Sequence, residues 1–131
     1  MKDLNKIYFN MQAKVYFERG GLPKYLPIIK NYGKKILIVT GRKFVFETGI
    51  IDQIKCLLSE NNLDYILYPE VPPEPEIYDV EKGVKICKKE NCDCVLGLGG
   101  GSAMDVAKVI SVLATNPGKV EDYFGEVEYK Y

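Results

Sequence analysis

Cys94-Val95-Leu96-Gly97-Leu98-Gly99-Gly100-Gly101-Ser102-Ala103-Met104-Asp105-Val106-Ala107-Lys108 decides how this chain folds. Its first five residues form a short apolar run, suited to a strand buried on both faces of a parallel sheet. Gly99-Gly100-Gly101 reads as a tight turn, and Ser102 to Ala114 as a helix with Ala103, Val106, Ala107, Ile110 and Leu113 inward. Glycines let backbone amides approach a ligand with no Cβ in the way. The first amides of a helix point outward at the positive end of its dipole, so this turn suits a phosphate or pyrophosphate. Ser102 is equally suited to be an N-cap, with Asp105 reaching back as in a capping box. Capping does not require three glycines; a close backbone approach does.

Working outward, the rest of the chain supplies similar alternations. Lys14 to Glu18 has strand composition, and Gly20-Gly21 stop it before an amphipathic stretch from Leu22 to Tyr32 that ends at Gly33. Ile36 to Val39 is a continuous apolar run followed by Thr40-Gly41, and reads as a central strand. Between Phe44 and Glu60, the residues Ile50, Ile51, Ile54, Leu57 and Leu58 recur at helical spacing. Asp64 to Tyr68 is a further strand, and the proline-rich run Pro69 to Pro75, short of amide donors, is expected to leave it as an extended loop. Ile77 to Lys89 carries one apolar stripe and is a helix. The order β-α-β-α-β-α requires crossover connections, hence a Rossmann-like α/β domain with a doubly wound parallel sheet. Residues 1–118 are assigned to this domain and residues 119–131 to a tail, with one helical turn expected from Val120 to Phe124.

Composition narrows the function classes. A chain of 131 residues suffices for one domain with one core. Lys plus Arg and Asp plus Glu are 18 each, so no field of one sign recruits nucleic acid or an anionic membrane. No apolar run approaches the ~18 residues a bilayer span needs, and Met1 to Lys6 lacks an export core, which reads as cytoplasmic. The four cysteines lack paired C-x-x-C spacing and read as reduced, structural thiols. Histidine is absent, which removes the commonest metal ligand and the usual general base near neutral pH.

The glycine turn is not a hydrolase P-loop, because no Gly-Lys-Ser or Gly-Lys-Thr follows it. It also departs from the dinucleotide fingerprint G-x-G-x-x-G: Gly97-Leu98-Gly99 leads to Ser102 where the third glycine belongs. GGGSAMDVAK after CVLGLG instead resembles the GGGS-x-x-D-x-A-K signature of the iron-containing (group III) alcohol dehydrogenases. ILIVTG, the VPPEP loop and DCVLGLGGGS stand in that family's order and at about its spacing, over most of the chain.

The resemblance implies a dehydroquinate synthase-like amino-terminal domain that binds NADP or NAD. It also implies a helical second domain in which an aspartate and three histidines hold a divalent metal, usually iron and sometimes zinc. Gly99, Gly100, Gly101 and Ser102 are then expected at the cofactor's pyrophosphate, and Asp105 toward its ribose or nicotinamide side. Lys108 is expected to support the helix, paired with Asp105 at i+3. Gly41 stands where many NAD-using relatives carry an aspartate that bonds the ribose hydroxyls and repels a 2′-phosphate. With Arg42 and Lys43 beside it, this favours NADP, although such a pair also suits a solvated turn. Glu74 occupies the place of a common asparagine and is carried as a cofactor contact, one that repels phosphate unless it points into solvent.

The family's metal ligands are not among these residues, so the chain by itself is expected to be inactive toward the alcohol, aldehyde or ketone substrate. Three readings stay open: the cofactor-binding half of a metal-dependent alcohol dehydrogenase, a non-catalytic nucleotide- or phosphate-binding module, and a glycerol dehydrogenase-like relative. A homo-oligomer is compatible with each.

Overall fold

Ile36, Leu37, Ile38 and Val39 have no exposed surface at all, and the fold is built around them. The structure, a computed structural model, describes residues 13–123. Lys35–Gly41 forms β1, the middle of a three-stranded sheet. Asp64–Val71 (β2) and Cys94–Leu98 (β3) flank it, both parallel to it. Side chains alternate across a strand, so successive residues of β1 feed two different cores. Ile36 and Ile38 pack with Ile51, Ile54 and Leu58 of a helix spanning Ile50–Glu60 (called α3 below). Leu37 and Val39 pack on the opposite face with Val80 of Ile77–Lys89 (α4) and with Val106 and Ile110 of Gly101–Leu113 (α5). The sheet is therefore covered on both sides, as the alternation of elements requires.

Several local elements depart from the pattern in the sequence. Lys14 to Glu18 is not a strand: it pairs with neither edge of the sheet, and these residues are exposed. Strand composition by itself does not make a strand; pairing and burial against neighbours do. Instead Tyr16 stacks on Tyr25, and Glu18 accepts hydrogen bonds from Lys24 Nζ at 2.9 Å and Tyr25 Oη at 2.5 Å. The helix expected over Leu22 to Tyr32 is a short α1, Leu22–Tyr25, followed by a 3-10 turn, Leu26–Asn31. Pro27 accounts for the change, since it has no amide to continue the α ladder. The segment from Phe44 to Glu60 is two helices, α2 (Phe44–Glu47) and α3, separated where Gly49 takes φ 72°.

The strand expected to stop at Tyr68 continues through Pro69 to Val71. Val39 pairs with Tyr68 but Gly41 with Val71, so β2 carries an extra residue there. Such a bulge on an edge strand accommodates a residue that cannot donate to the ladder. The turn after residue 118 is a 3-10 helix, Val120–Tyr123, and the remainder of the tail lies outside the described residues.

Two devices fix the ends of these elements. Glu76 and Asp79 form a reciprocal capping box at the start of α4. At the amino ends of the strands, the Asp93 carboxylate accepts from Lys34 N at 2.9 Å and Lys35 N at 2.8 Å, tying β1 to the turn that enters β3. Those amides hold the Asp93 carboxyl below the ordinary carboxylate range. All four cysteines are free. Among the described residues no helix is long and apolar enough to cross a membrane.

Candidate functional site

A doubly wound sheet opens a crevice where successive connections leave in opposite directions, outside the carboxyl ends of the strands. From β1 the chain crosses one face to β2, then returns over the other face to β3, so the opening lies between β1 and β3. A cleft of about 510 Å³ occupies that place. Its β1 side is Thr40 to Val45, its β3 side Gly99 to Ala103, and Val71, Pro72 and Pro73 close it from β2. Gly41, Arg42, Lys43, Gly99, Gly100, Gly101 and Ser102, separated by some 60 positions in the chain, are thereby brought to one opening.

The four glycines of this segment are there for different reasons. At Gly97 a Cβ would come within 2.9 Å of the Ala107 Cβ and 3.2 Å of the Met104 Cα, so its absence lets α5 lie close on β3. Gly99 has φ 132°, which side-chain-bearing residues rarely adopt. Gly100 and Gly101 answer to neither demand: a Cβ on either would meet nothing within 4 Å, and neither has positive φ. Both stand at the amino end of α5, where Gly100 is the N-cap and no side chain bonds the orphan amides. The first amides of a helix lack intrahelical acceptors and carry partial positive charge. This opening therefore presents unclaimed donors behind a surface with no side chain on it.

Ser102 and Asp105 do not form the capping box that their spacing fits. The Ser102 hydroxyl donates to the Pro73 carbonyl at 2.5 Å, fastening the proline wall to the first turn of α5. Asp105 accepts from Lys108 Nζ at 3.1 Å, the i+3 pair expected from the sequence. Both side chains are more than 70% exposed, at 72% and 75%, so the pair contributes little to stability. Asp105 does not line the glycine cleft. It borders a separate hollow of about 580 Å³ between α4 and α5, walled largely by Ile77, Tyr78, Val80, Val106 and Val109. Those apolar side chains offer nothing to hold a phosphate. Glu74 is exposed and is likewise outside the cleft walls.

On the β1 side, a Cβ at Gly41 would sit 3.6 Å from the Val71 carbonyl oxygen, an ordinary contact, so a side chain would fit there. Arg42 borders both the cleft and a neighbouring hollow that contains Phe46, Pro69 and Glu70. The Glu70 carboxyl is held below its ordinary value mainly by the Lys82 ammonium, which bonds it, with a smaller effect from Arg42. Sequence reasoning missed Phe44 and the wall Val71-Pro72-Pro73. Helical periodicity absorbs Phe44 into a helix start, and the prolines read only as a break in β2. Among the described residues no group of three or more Cys, Asp or Glu side chains is arranged to hold a metal ion.

Known proteins resemble both the sequence and this arrangement. The family model described as iron-containing alcohol dehydrogenase matches residues 12–131. Alcohol dehydrogenase 4 of Schizosaccharomyces pombe is 41% identical over 109 residues, which are 83% of this chain and 26% of that protein. NADH-dependent butanol dehydrogenase A of Clostridium acetobutylicum is 40% identical over 103 residues, covering 79% of this chain and 26% of its own length. Among solved structures, an iron-containing alcohol dehydrogenase from Thermotoga maritima superposes with a TM-score of 0.82 at 38% identity, over 88% of this chain and 32% of that one. The chain thus spans about a quarter to a third of the length of these relatives. With its parallel sheet, its glycine turn and a family match over nearly its whole length, the chain belongs to the iron-containing alcohol dehydrogenase family.

Proposed function

We propose that this chain forms the dinucleotide-binding wall of an NAD(P)-dependent alcohol dehydrogenase that interconverts an alcohol and an aldehyde or ketone. The observation that carries this is the pair Gly100 and Gly101, glycines that the chain's own packing does not require, at the uncapped amino end of α5. A pyrophosphate seated there would accept from the first amides of α5, and any Cβ at these positions would stand between them. Bound in the cleft, the nicotinamide supplies hydride transfer. This chain's part is to bind and orient the cofactor through Gly41, Arg42, Lys43, Gly99, Gly100, Gly101 and the backbone of Ser102. Asp105 and Glu74 lie outside the cleft walls, so a contact from either would be made by cofactor that extends beyond the cleft.

The metal chemistry is assigned to residues outside these 131. The chain has no histidine, and among the described residues no group of three or more Cys, Asp or Glu side chains is arranged to hold the iron or zinc that would polarise a carbonyl. The 131-residue chain is accordingly proposed to bind nucleotide without turning over alcohol. For the choice of cofactor, relatives named NADH-dependent and NAD-dependent dehydrogenases favour NAD. The local chemistry of Gly41-Arg42-Lys43 favours NADP, because it lacks the repelling carboxylate and offers two cations. We give the local residues more weight.

An NMR titration of the chain with NADPH, NADH and inorganic pyrophosphate tests both statements. Amide shifts at Gly99 to Ala103 with all three ligands, and at Gly41 to Lys43 with NADPH above all, are the expected result. The absence of shifts at the glycine turn with every ligand at millimolar concentration would overturn the proposal.

A further inference from the structure

One large aromatic at the rim of the cleft stands outside both cores. Phe44 is 66% exposed, yet it lines the same opening as the glycine turn and directly follows Gly41-Arg42-Lys43. Its ring is not among the side chains packed on either core, whereas the next residue, Val45, is buried in the core on the α3 face. The backbone beneath the ring is held firmly: the Phe44 carbonyl accepts from Thr48 N at 3.0 Å and from Thr48 Oγ1 at 2.7 Å. A well-anchored main chain thus places an exposed aromatic residue at the cleft, directly after two cationic residues that also line it.

A ring so placed matches a planar base carried next to phosphates. We infer that Phe44 is the stacking platform for the purine base of the bound nucleotide. The base lies on the β1 side of the cleft, and its phosphates lie across the opening at Gly100 and Gly101. This deepens, and rests on, the dinucleotide assignment above. Stacking uses the π-face that every base has, so it supplies affinity for a base-bearing ligand and none for phosphate alone. Arg42 and Lys43, on the same stretch, would meet the ribose phosphate end of that ligand.

The test compares the full chain with Phe44→Ala and Phe44→Trp, titrated calorimetrically with ADP and with inorganic pyrophosphate. Phe44→Ala is expected to weaken ADP binding about tenfold and leave pyrophosphate binding unchanged. Phe44→Trp is expected to retain ADP affinity. Because the chain contains no tryptophan, its indole emission then reports the site alone, quenched by ADP and not by pyrophosphate. Equal loss of both ligands in Phe44→Ala, or unchanged ADP binding with an unquenched indole, would overturn the assignment while leaving the glycine site standing. Failure of the unaltered chain to bind either ligand would instead remove the dinucleotide assignment and this one with it.

Discussion

The two ends of the parallel sheet use glycine and charge in opposite ways. At the amino ends of the strands the chain fills its own space: Gly33 is glycine because a Cβ there would collide with the Asp93 carboxylate and press on the Cys94 Cβ. That carboxylate then takes the amides of Lys34 and Lys35, so donors and acceptor satisfy each other within the protein. At the carboxyl ends Gly100 and Gly101 face open space, and no side chain caps the amides beside them. A glycine pressed by its own protein serves stability. A glycine that nothing presses, next to unclaimed donors, leaves room for the pyrophosphate proposed above.

This contrast is most strongly tested by adding methyl groups at each end. The double substitution Gly100→Ala with Gly101→Ala should weaken pyrophosphate and dinucleotide binding about a hundredfold, the equivalent of roughly two charge-assisted backbone hydrogen bonds. Thermal unfolding should change little, because alanine's better helix propensity at Gly101 offsets its poorer capping at Gly100. Loss of stability with intact binding would invert the comparison. Gly33→Ala should do the reverse, lowering the unfolding free energy by about 2 kcal/mol through overpacking while binding by the folded fraction is kept. Urea unfolding followed by circular dichroism, alongside calorimetric titration, measures both.

A smaller effect is expected from Gly41→Asp, which the 3.6 Å clearance to the Val71 carbonyl permits. It should shift preference from NADPH toward NADH by about tenfold, as a carboxylate repels the 2′-phosphate and accepts from ribose hydroxyls. An unchanged ratio of the two dissociation constants would remove Gly41 from cofactor selection.

The Asp93 clamp adds a pH signature to the other end. Its folded-state pKa is lowered by the amides of Lys35 and Lys34, so its contribution is fully present above the unfolded value of about 3.9 and drains away as pH falls through the lowered folded value. Asp93→Asn should therefore be less stable than the parent chain at neutral pH, with the gap closing below about pH 4. A gap independent of pH would show that shape, not charge, closes that end. The least effect is expected from Asp105→Asn: both members of its pair with Lys108 are exposed, so the change in unfolding free energy should stay below about 0.5 kcal/mol.

Much of this architecture could be read directly from residue order. The apolar run Ile36 to Val39 can be buried on both faces only as a central strand. The helical stripes on Ile50–Glu60, Ile77–Lys89 and Gly101–Leu113 each have one side that must be covered. The glycine turn announced itself because chemistry and location coincide within ten residues. Local composition misled where a partner decides the outcome. Lys14 to Glu18 has the residues of a strand but pairs with neither edge of the described sheet, and Pro69 sits inside β2 because a bulge on an edge strand removes the need for its amide.

The sequence by itself determined a doubly wound α/β chain with a glycine turn at the start of a helix, because period, run length and glycine content act over a few residues. Only the tertiary structure decided which residues share the opening. It set Gly41 to Val45 across from Gly99 to Ala103, and it turned Ser102 to the Pro73 carbonyl and left Asp105 on another surface. It also separated the glycines required by packing from the two that are not, since a residue's neighbours in space are fixed by the crossing of elements and not by its neighbours in the chain.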